Sequence, residues 1–231
     1  MDLCDFNLRT LINFKRKLLE KAYDAIGDYN EIDLVDYSIS YTIFRELVEC
    51  LNYLHEQQPP IMHRDIKPAN ILLTIEPRSG RFVRLGDFGL AKKHECSDIS
   101  HSHNVGTPRY MAREVMQSGQ YNTSVDVYSL GEVAYMLFDK IVRPSDKLTE
   151  MNKLIDTMID TIANKRPKCG DILAMIDKLA IQALVSQSLL TWLSLANSSR
   201  QLFDNPNYIK DSTNVIDFLK SFISHKFTTI K

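Results

Sequence analysis

His63-Arg64-Asp65-Ile66-Lys67-Pro68-Ala69-Asn70, with Asp87-Phe88-Gly89 further along, is the stretch that decides how this chain is read. Asp65 is a carboxylate suited to taking a proton from a hydroxyl, and Lys67 is a cation suited to a developing negative charge. Asn70 and Asp87 supply hard oxygens of the kind that magnesium prefers. Together they form the set that phosphoryl transfer asks of a protein, which is positioning and charge neutralisation rather than covalent chemistry. Taken singly, Asp65 and Asp87 would be ordinary solvated carboxylates. Standing in two ordered motifs, they read as one site.

The two motifs resemble the catalytic loop and the metal-binding DFG element of eukaryotic protein kinases. The resemblance implies that Asp65 is the base, Lys67 the cation beside the transferred group, and Asn70 and Asp87 the magnesium ligands. His63 would then pack and hydrogen-bond rather than carry protons. ATP and Mg²⁺ are the implied cofactors. The implied partner is a protein with a Ser or Thr hydroxyl, because Arg64-Asp65-x-Lys67-Pro68-x-Asn70 and Gly106-Thr107-x-x-Tyr110 are similar to the Ser/Thr branch of the family. Met1-Asp2-Leu3-Cys4 resembles a kinase hinge, which implies that the backbone at Asp2 and Cys4 bonds the adenine edge above an apolar floor at Leu72. The longer phrase through Asp5, Phe6 and Leu8 resembles the hinge of kinases acting on the alpha subunit of translation initiation factor 2.

Further along, Gly106-Thr107-Pro108-Arg109-Tyr110-Met111-Ala112-Arg113-Glu114 resembles the close of an activation segment, with Arg113 where proline is usual. A phosphate on Ser97, Ser100, Ser102 or Thr107 would pair with Arg64 and order that segment. Asp126-Val127-Tyr128-Ser129-Leu130-Gly131 is similar to a family element whose aspartate accepts hydrogen bonds from the catalytic-loop backbone. The arginine of Arg166-Pro167 is implied to pair with Glu114.

The family's G-x-G-x-x-G loop has no counterpart among the eight glycines, and no strand-like segment with a suitable lysine precedes Asp65. The expected fold is therefore protein-kinase-like: a mainly α-helical large lobe with a small β-hairpin at the cleft, and no N-terminal β lobe. Residues 1–180 are expected to form the hinge and large lobe, and residues 181–231 a helical extension of unassigned role. With the phosphate-gripping parts missing, the chain is expected to be a truncated, inactive piece of a Ser/Thr kinase. The competing reading is a non-catalytic kinase-derived lobe that binds substrates or regulators.

Periodicity predicts a short helix over Phe6–Glu20 and a loop or insertion over Lys21–Asp36. A long amphipathic helix follows through Ile39, Ile43, Leu47, Leu51 and Leu54, capped by Asp36 or Ser38 and ended by Gln57-Gln58-Pro59-Pro60. Ile71–Leu73 and Phe82–Leu85 flank the turn signal Pro77-Arg78-Ser79-Gly80 and predict a hairpin. Asn122 to Phe138 is apolar nearly all round, as in a buried helix. One amphipathic helix is expected from Leu148 to Ile162, and mostly helix from Gly170 to Leu202 with a polar interruption at Asn197–Arg200.

The chain has 231 residues, 44% of them hydrophobic and 25% charged, a composition of an ordinary globular protein. Lys and Arg number 28 against 29 acidic residues, which argues against nucleic acid as a partner. Cys4, Cys50, Cys96 and Cys169 form no close pair and read as reduced thiols of the cytoplasm, or of the nucleus. No run of apolar residues is long enough for a membrane span. His94, Cys96, His101 and His103 crowd together, but their spacing fits none of the tetrahedral zinc patterns.

Overall fold

A computed structural model describes residues 4–26, 30–93, 107–117, 121–138, 149–179 and 206–227. In chain order its elements are β1 (Phe6–Asn7), α1 (Leu8–Ile26), α2 (Asn30–His55), β2 (Ile61–Met62), β3 (Ile71–Arg78), β4 (Arg81–Leu85) and β5 (Lys92–Lys93). Then come α3 (Arg113–Gln117), α4 (Ser124–Leu137), α5 (Thr149–Met158), α6 (Cys169–Lys178) and α7 (Pro206–Phe227), with single 3₁₀ turns at Pro68–Asn70, Phe88–Leu90, Pro108–Tyr110 and Ala163–Lys165. The described residues fall into two compact units. The first draws on residues 1–43, 72–84 and 181–231, the second on 44–71 and 85–180.

In the first unit the sheet runs β1-β3-β4, with Phe6 opposite Leu73 and Asn7 opposite Leu72. The Asp5 N–H donates to the Leu73 carbonyl at 3.0 Å, and the Asp5 carboxylate accepts from the Ile75 N–H at 2.8 Å. The hairpin is present, but its turn is tighter than the sequence predicts. β3 continues through Pro77 and Arg78, and the reversal is made by Ser79 (φ 55°) and Gly80 (φ 73°) alone. Two successive left-handed residues give the turn whose twist matches the strands, and glycine adopts that conformation without strain. Among the described residues β1 pairs with β3 at Leu72 and Leu73, and Pro77 lies beyond that pairing, where its missing N–H breaks no described ladder.

Four aromatic rings hold this sheet to α7. Phe218 meets Phe6 at 5.4 Å and Phe82 at 5.5 Å between centroids, and Phe222 meets Phe82 at 4.9 Å. Phe218 and Phe222 are four residues apart and so share one helix face. The Lys226 ammonium donates to the Gly80 carbonyl at 3.1 Å, tying the end of α7 to the turn.

The loop expected over Lys21–Asp36 is corrected by the structure: α1 runs to Ile26 and α2 begins at Asn30, with only residues 27–29 outside the described residues. The stretch has no proline to stop a helix, and its one glycine, Gly27, falls between the two helices. Its polarity is misleading because part of it is buried. Asp36 and Ser38, expected as caps, lie inside α2 with 5% and 9% exposure. Lys15 on α1 reaches Asp36 at 3.0 Å and Ser40 at 2.5 Å, so the buried charges are paired. At its start, α1 is preceded by the two strand residues Phe6 and Asn7, which the sequence places in the helix.

In the second unit, β2 and β5 pair antiparallel, Ile61 opposite Lys93 and Met62 opposite Lys92. α4 is buried on several sides, as its all-round apolar character predicts. Gly131 is required where α5 crosses it, because a Cβ there would stand 2.7 Å from Ile159 Cγ2. α5 ends at Met158, short of the expected Ile162, which is 51% exposed. The Asp160 carboxylate accepts from the Ile162 N–H at 2.7 Å, a local turn that competes with continued helix. The helices expected from Ala180 to Leu202, and the interruption at Asn197–Arg200, lie outside the described residues.

Candidate active site

The loop that carries Asp65 leaves β2 in a conformation that its sequence alone would not adopt. Arg64 has φ 66°, a left-handed backbone without glycine. Asp126, fully buried on the first turn of α4, holds it there: its two oxygens accept from the N–H groups of His63 and Arg64, each at 2.8 Å. One carboxylate thus caps two successive amides, as the sequence pattern implies for Asp126. His63, also fully buried, places Nε2 3.0 Å from the Gly86 carbonyl and its ring 5.0 Å from that of Phe88. The Gly86 N–H in turn donates to the Asn70 carbonyl at 2.8 Å. Both ends of the hairpin are therefore joined, which brings the backbones carrying Asn70 and Asp87 together. The Arg64 side chain spans two further segments, donating to the Leu90 carbonyl at 2.6 Å and the Tyr121 hydroxyl at 3.4 Å.

Asp65 is 6% exposed and sits among donors. Lys67 Nζ reaches Oδ2 at 2.6 Å, Asn70 Nδ2 reaches the same oxygen at 2.8 Å, and the Thr107 hydroxyl reaches Oδ1 at 3.1 Å. Lys67 also donates to Thr107 Oγ1 at 3.0 Å, closing a ring of three side chains. Burial raises the proton affinity of Asp65. The hydrogen bonds from Lys67 and Asn70, the Lys67 charge and the Thr107 bond together outweigh it and hold the carboxyl below the ordinary aspartate range. It is ionised at neutral pH. Beside it opens a cavity lined by Thr107, Tyr110, Met111, Ala112 and Val115.

Asp87 has φ 59°, and its own carboxylate accepts from the Gly89 N–H at 3.3 Å. The residue is otherwise exposed, as is Phe88 at 49%. Among the described residues no group of three or more His, Cys, Asp or Glu side chains is placed to hold a metal. One carboxylate plus the Asn70 amide oxygen is a poor cage for zinc or calcium. It fits magnesium, which keeps several waters and takes few protein ligands when phosphates complete its shell.

Behind the loop, Arg166 and Glu114 form the expected pair across the fold, with NH1 to Oε1 at 2.6 Å and NH2 to Oε2 at 3.1 Å. The fork is bidentate and the guanidinium side chain only 1% exposed. It stacks 5.0 Å over the Tyr128 ring and donates to the Asp160 and Ser124 carbonyls. Arg113 is exposed, so the replacement of proline leaves the Glu114 contact intact.

The protein kinase domain family matches residues 17–228, nearly the whole chain. The chain belongs to the protein kinase family. Relatives include the serine/threonine-protein kinase nekl-2 of Caenorhabditis elegans, 30% identical over 200 residues that cover 78% of this chain and 52% of that protein. The calcium/calmodulin-dependent protein kinase type 1 of Macrobrachium nipponense is 36% identical over 48% of this chain and 29% of its own length. The eukaryotic translation initiation factor 2-alpha kinase 1 of Mus musculus is 30% identical over 72% of this chain and 27% of its own. The chain thus spans about half the length, or less, of these relatives.

In this kinase chain the structure brings Asp65, Lys67 and Asn70 into one hydrogen-bonded cluster and ties Asp87 to it through Gly86. Cys4 and Leu72 belong to the first unit, where Asp5 and Asn7 line up along β3 beside Leu72 and Leu73. Met1, Asp2, Ser97, Ser100, Ser102 and the His94–His103 cluster lie outside the described residues. Sequence reasoning missed Tyr121 and His55, which contact Arg64 and Asp126 from segments without a recognisable motif. Among the described residues no helix is long and apolar enough to cross a membrane.

Proposed function

We propose that the chain carries the phosphoryl-transfer site of a Ser/Thr protein kinase, moving the ATP γ-phosphate to a protein hydroxyl. The observation that supports this best is the ring of Asp65, Lys67 and Thr107, in which a hydroxyl already donates to the Asp65 carboxylate beside an ammonium. A substrate hydroxyl taking the place of Thr107 would give its proton to Asp65 as its oxygen attacks phosphorus and the bond to ADP breaks. Lys67 would neutralise the charge that grows on the transferred group. Asn70 Oδ1 and the Asp87 carboxylate would hold Mg²⁺, which when bound neutralises the phosphate oxygens. The backbone at Asp2 and Cys4 and the side chain of Leu72 would receive adenine.

Ser/Thr rather than Tyr acceptors are supported by Lys67 and by the Thr107-x-x-Tyr110 spacing. A likeness to a relative named for initiation factor 2-alpha makes that protein's alpha subunit the first substrate to test. The 231 residues alone are proposed to turn over slowly, since the sequence contains no G-x-G-x-x-G loop. A cytoplasmic or nuclear setting fits four cysteines spread through the sequence with no C-x-x-C spacing.

The test has two parts. Titration calorimetry is expected to find ATP binding that needs Mg²⁺ and weakens in Asp87→Ala. Transfer from radiolabelled ATP to the initiation-factor subunit is expected to yield phosphoserine or phosphothreonine and to fall by about 10²–10³ in Asp65→Asn. Binding without Mg²⁺ dependence, or transfer untouched by both changes, would overturn the assignment.

A further inference from the structure

A buried thiol stands at the far end of the hydrogen-bond chain that holds the catalytic loop. Cys169 opens α6, is 2% exposed, and places Sγ 3.5 Å from His55 Nδ1. The other nitrogen of that imidazole, Nε2, lies 3.0 Å from Asp126 Oδ2. This is the same oxygen that accepts from the His63 N–H, while its partner oxygen accepts from Arg64. The sequence therefore runs thiol, imidazole, carboxylate, catalytic-loop amides, and it joins α6, α2 and α4 to the residue before Asp65. All four groups belong to the second unit.

The proton positions follow from the partners. Asp126 offers only acceptors to its surroundings, so His55 Nε2 carries a proton and donates to it. Burial first, then the charges of Asp126 and Glu56, push the Cys169 thiol up to about 12. At neutral pH the thiol thus keeps its proton and can donate to Nδ1. A neutral imidazole accepting at Nδ1 and donating at Nε2 satisfies every member. Which imidazole nitrogen is protonated is set by the bond that the other makes.

We propose that Cys169 is a positioning residue for phosphoryl transfer: by donating to His55 Nδ1 it fixes the Nε2–H tautomer that orients Asp126 under the catalytic loop. This rests on the kinase reading only for what the loop does. The bond chain itself is independent of turnover, so the test uses no activity.

Cys169→Ser keeps a donor at the site and Cys169→Ala removes it with little change in volume. Nitrogen-15 spectra of the imidazoles are expected to show His55 as the Nε2–H tautomer in the native chain and in Cys169→Ser, and as a mixture in Cys169→Ala. Amide hydrogen exchange is expected to speed roughly three- to tenfold at His63 and Arg64 in Cys169→Ala relative to the amides of Leu130 and Ile155, with Cys169→Ser unchanged. The ratio to core amides separates this from general loosening. A native His55 that is doubly protonated or carries its proton on Nδ1 would overturn the proposal. So would an alanine variant whose exchange ratio equals the native one, or a serine variant that behaves like alanine. Failure of phosphoryl transfer with these signatures intact would instead count against the kinase reading alone.

Discussion

The catalytic-loop frame of the second unit and the aromatic cluster of the first are both deeply buried, yet they are held by opposite kinds of force. Around Asp126 the contacts are few, short and directional, and each donor has one acceptor. Around Phe82 the contacts are broad, and the rings of Phe218 and Phe222 meet it at different tilts. Directional bonds hold a left-handed Arg64 backbone that nothing else would favour. Ring packing holds a hairpin onto a helix without dictating any torsion. Chemistry that needs atoms placed to a fraction of an ångström belongs on the first kind of frame.

One substitution in each place tests this contrast most directly. Asp126→Asn leaves one acceptor for two buried amides and is expected to cost about 2–4 kcal/mol in urea unfolding. Phe82→Leu is expected to cost less than about 1.5 kcal/mol, because neighbouring rings can shift to fill space. Equal costs would erase the distinction.

A smaller effect is expected at the rear of the same frame. Arg166→Lys keeps the charge opposite Glu114 but loses the fork and the stacking on Tyr128, for a loss of about 1–2 kcal/mol read by the same unfolding experiment. A variant as stable as the native chain would mean that charge alone, not geometry, matters there.

The smallest effect is in acid. Because Asp65 has its carboxyl held below the ordinary range in the folded chain, its contribution is fully present above that range. It is lost as pH falls through the folded value. Asp65→Asn should therefore flatten the acid limb of stability against pH, while leaving the slope near neutrality as in the native chain. An unchanged acid limb would show that Lys67 and Thr107 do not stabilise the charged form.

Legibility in the sequence follows the same division. Asp126 and the Glu114–Arg166 pair are readable because motifs mark their positions, and the structure bears out both contacts. The hairpin is readable from two β-branched or aromatic runs, though not its exact turn, since Pro77 reads as a breaker whereas β3 runs through it to Arg78. Lys21–Asp36 misleads because charge suggests solvent, whereas Asp36 is buried against Lys15 from the neighbouring helix. His55, Tyr121 and Cys169 are invisible for a related reason. Their partners lie far away in sequence, and only tertiary packing brings them together.

The bond from Gly86 to Asn70 has a consequence for how this chain can change length. An excursion that leaves and returns at one point is a side branch, and its tip is not measured by the residues at its root. Segments added or removed near Ser79 and Gly80 in steps of two would preserve which side chains face inward. Asn70 and Asp87 at its two roots would stay at their stations, so the hairpin is where this chain can grow or shrink with the least disturbance to the candidate site.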